Sequence, residues 1–133
     1  MNRRLRLVSA LLALGWMALI FYLSGIPNAK LPQGPDGTDK LIHMAVYGLL
    51  ALFYLGAMKP ASDGRHSLRQ TVLAAMLATL YGATDEWHQS FVPTRSADVW
   101  DLVADAVGAV IAVTVVAWLH GPLPWLRNAR KEM

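Results

Sequence analysis

Four apolar stretches separated by short polar breaks set the plan of this chain. Leu7 to Ile26 runs for twenty residues without a charge, long enough at about 1.5 Å per residue to cross roughly 30 Å of hydrocarbon. Residues 25–38 hold three prolines and three glycines, which break helix repeatedly. A second helix follows over 39–58, with Thr38 or Asp39 as its expected cap, polar in its first two turns and apolar afterwards. Lys59 to Arg69 is a short basic turn, residues 70–91 form a third helix and 98–119 a fourth. Only Val92 to Ala97 separates the last two, so they should pair as an antiparallel hairpin. The expected fold is all-α, a single membrane domain over 1–133 with four transmembrane helices and a basic tail at 121–133 lying on the membrane surface.

Composition supports a membrane setting. The 133 residues are 55% hydrophobic and 16% charged, too apolar for a soluble protein of this size. The first apolar run is also too long for a cleaved signal peptide. Without cysteine, thiolate metal sites are excluded, and the net charge of +3 sits in clusters beside apolar runs, which argues against a nucleic-acid surface. With four spans, nine of the twelve basic residues fall on the side of both termini. The positive-inside rule then places both termini in the cytoplasm, with Trp118 and Trp125 at the inner interface and Trp87 and Trp100 at the outer.

That topology gathers seven of the nine acids at the outer end. On helix two, Asp39, His43 and Tyr47 share an arc of about 80°, with Lys40 beside them. On helix three, Tyr81, Asp85 and His88 share a face, flanked by Gln89 and Glu86. On helix four, Asp98, Asp101, Asp105, Gly108 and Ala112 form a stripe that begins acidic and ends small, suited to close helix contact. Asp39, Asp98 and Asp101 also suit the first turns of helices as caps and dipole partners. Glu86, His43, His88 and Asp105 have no such explanation. Arg95, alone among many acids, is expected to pair with one of them.

Three segments carry a resemblance: Asp39-Lys40-Leu-Ile-His43 with Tyr47, Glu86-Trp-His-Gln89-Ser-Phe-Val-Pro93-Thr-Arg95, and Asp101 with Gly108. In these the chain resembles the VanZ-like family, small membrane proteins named after a teicoplanin-resistance factor, over Ser24 to about Ala112. Two positions depart from the family pattern: Asp105 stands where Asn is common and Ala112 where a second Gly is common. The resemblance implies a bacterial inner-membrane protein associated with the cell envelope or with glycopeptide susceptibility, and supplies no reaction.

The residues themselves leave three readings. The first is a binding site for the polar head of an envelope lipid or glycan-linked precursor, formed by Asp39, Lys40, His43, Tyr47, Asp85, Glu86, His88, Gln89, Arg95, Asp101 and Asp105, with Lys40 and Arg95 on phosphate. The second is an intramembrane hydrolase or transferase acting on a lipid-linked substrate, either metal-dependent through the histidines and acids or carboxylate-based through Glu86. The third, a proton-coupled exporter, lacks an ionisable group near the midplane of the first two spans. The sequence assigns no metal ligands and names no cofactor.

Overall fold

The computed structural model describes residues 2–27 and 34–120, and all regular structure there is helical. Helix α1 spans Arg3–Ser24, α2 Thr38–Ala57, α3 Leu68–Gln89 and α4 Val99–His120. The expected surface tail, with Trp125, Arg127, Arg130 and Lys131, lies outside the described residues, as does Lys30.

Helix ends differ from the apolar runs for local reasons. α1 begins four residues before its apolar run because the Asn2 side chain accepts the Leu5 N–H at 3.0 Å and the arginines between are good helix formers. α2 is capped by neither Thr38 nor Asp39. Gly37 holds the N-cap with φ of 83°, a left-handed conformation open to glycine, and the Thr38 N–H reaches the Pro35 carbonyl. α3 starts in a capping box, in which Ser67 and Gln70 satisfy each other's backbone N–H groups.

Among the described residues, α1, α2 and α4 are long and apolar enough to cross a membrane. α3 has 22 residues but falls short on apolar character, since Arg69, Gln70, Asp85, Glu86, His88 and Gln89 all lie on it. It presents small residues inward instead: Ala74, Ala75, Ala78 and Gly82 are buried. Large apolar side chains face outward, with Leu11 67%, Leu80 58% and Trp118 62% exposed, a surface suited to lipid and not to water.

α2 touches all three other helices, whereas α1 and α4 do not meet. The tightest contact is between α2 and α4. A Cβ at Gly108 would overlap the Met44 backbone, and one at Gly48 would come within 3.0 Å of the Gly108 carbonyl oxygen. The expected stripe of small residues on α4 is thus the surface on which α2 rests.

α1 is joined to the bundle largely by side chains that donate to main-chain oxygens. Arg6 Nε reaches the Ala57 carbonyl at 3.2 Å and Trp16 Nε1 the Val46 carbonyl at 3.0 Å. Tyr81 Oη donates to the Met17 carbonyl at 2.7 Å.

Two glycine substitutions should separate contact from helix propensity. Gly108→Ala should destabilise by about 1–3 kcal/mol or more, because the obstruction is backbone. Gly15→Ala, with nothing within 4 Å of the added carbon, should be neutral or stabilise by up to about 1 kcal/mol. Thermal unfolding in detergent measures both, and equal effects would refute this account of the α2–α4 contact.

Candidate functional site

The start of α2, the end of α3 and the start of α4 come together at one end of the bundle. There the predicted residues separate into two groups. In the first, Lys40 Nζ donates to Asp39, Asp98 and Asp101 at 2.9, 2.8 and 2.5 Å. Asp98 lies just ahead of α4, where the Lys40 ammonium holds its carboxyl below the usual carboxylate range, helped by the Trp100 N–H that it caps.

Below Lys40, His43 lies between two carboxylates. Its Nδ1 is 2.8 Å from Asp105 Oδ1, and its Nε2 is 3.6 Å from Asp101 Oδ2. Asp105 is completely buried, and its Oδ2, which has no hydrogen-bond partner among the described residues, packs against Gly82, where a Cβ would overlap it. From α3, Glu86 Oε2 accepts the Asp98 N–H at 2.7 Å. Glu86 Oε1 is buried with no hydrogen-bond partner among the described residues.

The second group faces α1. Tyr47, buried in the core, donates its hydroxyl to Asp85 Oδ2 at 3.0 Å, and Gln89 Nε2 donates to the same oxygen at 3.0 Å. Gln89 Oε1 accepts from Arg95 Nη1 at 3.0 Å. Arg95 also donates through Nε to the Ile26 carbonyl at 2.8 Å and through Nη2 to the Leu23 carbonyl at 3.3 Å. It thereby sits at the C-terminal end of α1, where a cation is favoured, sharing the Leu23 carbonyl with the Ile26 N–H. The turn that presents Arg95 runs from Val92, closes with Arg95 N–H on the Val92 carbonyl, and holds Thr94 at φ of 67°. A β-branched residue rarely takes that conformation, so the turn is strained by about 1–3 kcal/mol.

His88 leaves the acids altogether. Its Nδ1 meets Ser24 Oγ at 3.1 Å and its ring stacks on Phe21 with centroids 4.2 Å apart. Between α1 and α3 lies a groove of about 510 Å³, lined by Phe21, Tyr81, Asp85, Trp87, His88 and Phe91, among others. Asp85, one of the lining residues, has its Oδ1 buried without a hydrogen-bond partner among the described residues. A second groove, of about 430 Å³ between α2 and α4, is almost wholly apolar.

Two expectations change. Arg95 pairs with main-chain carbonyls and Gln89, and with no carboxylate among the described residues, because its turn carries it to α1 and away from α4. Lys40, expected on a phosphate, is held by three carboxylates. His43 and His88 lie on different sides of α3's polar end and do not share a site. Phe21 and Ser24, which the sequence reading gave no role, meet His88. Ser24 stands where the family resemblance begins, which was the one available signal.

A family model described as VanZ/LLP1 matches residues 9–120. No curated protein and no solved structure matches the chain.

Removing Lys40 should raise the Asp98 titration. In Lys40→Met the Asp98 carboxyl is expected to protonate at higher pH than in the wild type, as followed by carboxyl carbon NMR. The depressed value means that Lys40's support for Asp98 is present at neutral pH and fades as pH falls through the folded-state titration. An unmoved Asp98 would show that the contact contributes nothing.

Proposed function

The chain belongs to the VanZ/LLP1 family, and on that premise we propose that this membrane protein holds the polar head of an envelope lipid or a lipid-linked glycan precursor between α1 and α3. One observation carries the reading: the α1–α3 groove combines aromatic walls, from Phe21, Trp87 and Phe91, with a floor of Asp85, His88 and Tyr81. Aromatic faces suit the apolar faces of a sugar, and Asp85 Oδ1, without a hydrogen-bond partner among the described residues, is an acceptor for a hydroxyl. Arg95 uses three of its donors internally and keeps others for a phosphate at the rim. Lys40 has no part in this reading.

The groove then opens where headgroups lie. The distribution of basic residues supports a bacterial cytoplasmic membrane setting with α3 as a fourth span, both termini in the cytoplasm and the polar end outward. Binding a lipid-linked wall precursor at that surface would change what a glycopeptide antibiotic meets there, which is how a link to teicoplanin susceptibility enters. The alternative is a hydrolase or transferase acting on a lipid-linked substrate, metal-dependent through the histidines and acids or carboxylate-based through Glu86. Glu86 belongs to the acidic group beside His43 and is not among the residues that line the groove.

Native mass spectrometry of protein released in mild detergent tests the binding. A phosphate-bearing lipid should remain on the wild type and fall at least tenfold in Asp85→Asn, in Arg95→Gln and in Trp87→Ala, the last altering only an exposed ring. Unchanged retention in all three, or no lipid on the wild type, would sink the proposal. Orientation has its own check: a green fluorescent protein fused to the C-terminus should fluoresce and an alkaline phosphatase fused there should be inactive, the reverse pattern placing the polar end inside.

A further inference from the structure

His43, Glu86 and Asp101 come from three helices, yet each offers one ligand atom within 4.8 Å of the others'. Their remaining polar atoms are already committed. His43 Nδ1 is bound to Asp105 Oδ1 at 2.8 Å, Glu86 Oε2 to the Asp98 N–H at 2.7 Å, and Asp101 Oδ1 to Lys40. What is left is His43 Nε2, Glu86 Oε1 and Asp101 Oδ2. Three side chains are each anchored through one atom, with the second uncommitted.

Glu86 supplies an independent sign that something is missing. It is 94% buried, at 6% exposure, and its Oε1 has no hydrogen-bond partner. That absence holds among the described residues, and a buried carboxylate oxygen without a partner costs free energy that a cation would recover. The spacing of the other two agrees. His43 Nε2 and Asp101 Oδ2 are 3.6 Å apart, too far for a hydrogen bond and close to the roughly 3.4 Å between ligands around a tetrahedral ion with bonds of about 2.1 Å.

We propose that His43 Nε2, Glu86 and Asp101 bind one divalent first-row transition cation, with Asp105 as the residue that positions His43. Neutral imidazole that gives Nε2 to a metal must carry its proton on Nδ1, where Asp105 Oδ1 receives it. A carboxylate behind a ligating histidine fixes ring orientation and raises ligand basicity. Asp105 is itself immobilised against Gly82. One imidazole with two carboxylates, and no thiolate, suits manganese or zinc better than copper(I). Lys40 bonds Asp101 through Oδ1 and Asp98 through Oδ2, so it orders Asp101 while leaving the Asp101 Oδ2 to the cation. The cation site stands on α2, α3 and α4 and does not depend on the groove beside α1 or on any lipid.

The test uses the full chain in detergent, delipidated, stripped with chelator and titrated with Mn²⁺ while the free-ion electron paramagnetic resonance signal is followed. One Mn²⁺ per chain is expected, displaced by Zn²⁺, with imidazole nitrogen modulation in the spin-echo spectrum. His43→Gln and Glu86→Gln should each weaken binding at least tenfold, Asp105→Asn should weaken it about 10–100-fold while keeping the nitrogen modulation, and His88→Gln should bind as wild type. No stoichiometric binding, binding without nitrogen modulation, or loss in His88→Gln but not in His43→Gln overturns the site. Should Glu86→Gln fail to fold, the wild-type spin-echo result decides alone. Lipid retention measured with and without Mn²⁺ separates failure of this site from failure of the groove.

Discussion

Where α2 and α4 meet, the Cα of Gly108 lies against the main chain of Met44, and Gly48 lies against the carbonyl of Gly108. No side chain fits between them. This approach fixes the distance between the two helices beside His43 and one turn from Lys40 on α2, and one turn from Asp105 and two from Asp101 on α4. With bulkier residues there, a lysine could still stretch to a carboxylate, but the short His43–Asp105 contact could not survive. Close packing of small residues thus sets the geometry of the charged ones, as it should where apolar surroundings give helices little other reason to associate.

α3 does the corresponding work on both sides. Gly82 lets Asp105 lie flat on it, and one turn on, Asp85 and Glu86 point in different directions, the first to Tyr47 and the second to the Asp98 backbone. Adjacent residues on a helix are about 100° apart, so one dipeptide serves two clusters. That is why the polar end is two sites, one acidic and closed around Lys40 and His43, the other aromatic and open beside α1.

Much of this was legible in the chain. The apolar runs located all four helices to within a few residues, and the stripe from Asp101 through Asp105 to Gly108 faced inward as its spacing implied. What could not be read was relative rotation. His43 and His88 each lie on a helix face that spacing defines, but which neighbour a face meets depends on packing, and here the small residues Ala74, Ala78 and Gly82 of α3 decide it. The destination of Arg95 was hidden for a different reason. Sequence shows an arginine and seven nearby acids, whereas its partners are carbonyl oxygens of Leu23 and Ile26, and main-chain acceptors leave no mark on residue identity. Glu86, His43 and Asp101 were gathered with the other acids and His88 as one set of possible ligands, but no short motif singled out these three, which are far apart in the chain.

The same anonymity shapes the attachment of α1. Trp16, Tyr81 and Arg95 each close a bond on an oxygen that every amino acid possesses, at Val46, Met17, Leu23 and Ile26. The donors are therefore constrained, while these bonds ask nothing of the acceptor's side chain; Met17 among the acceptors is held a second way, its Sδ accepting from Tyr54 Oη at 3.1 Å. Over evolutionary time α1 can exchange much of its lipid-facing sequence without losing its seat, and the pairs that join it to the bundle would leave little trace as correlated substitutions.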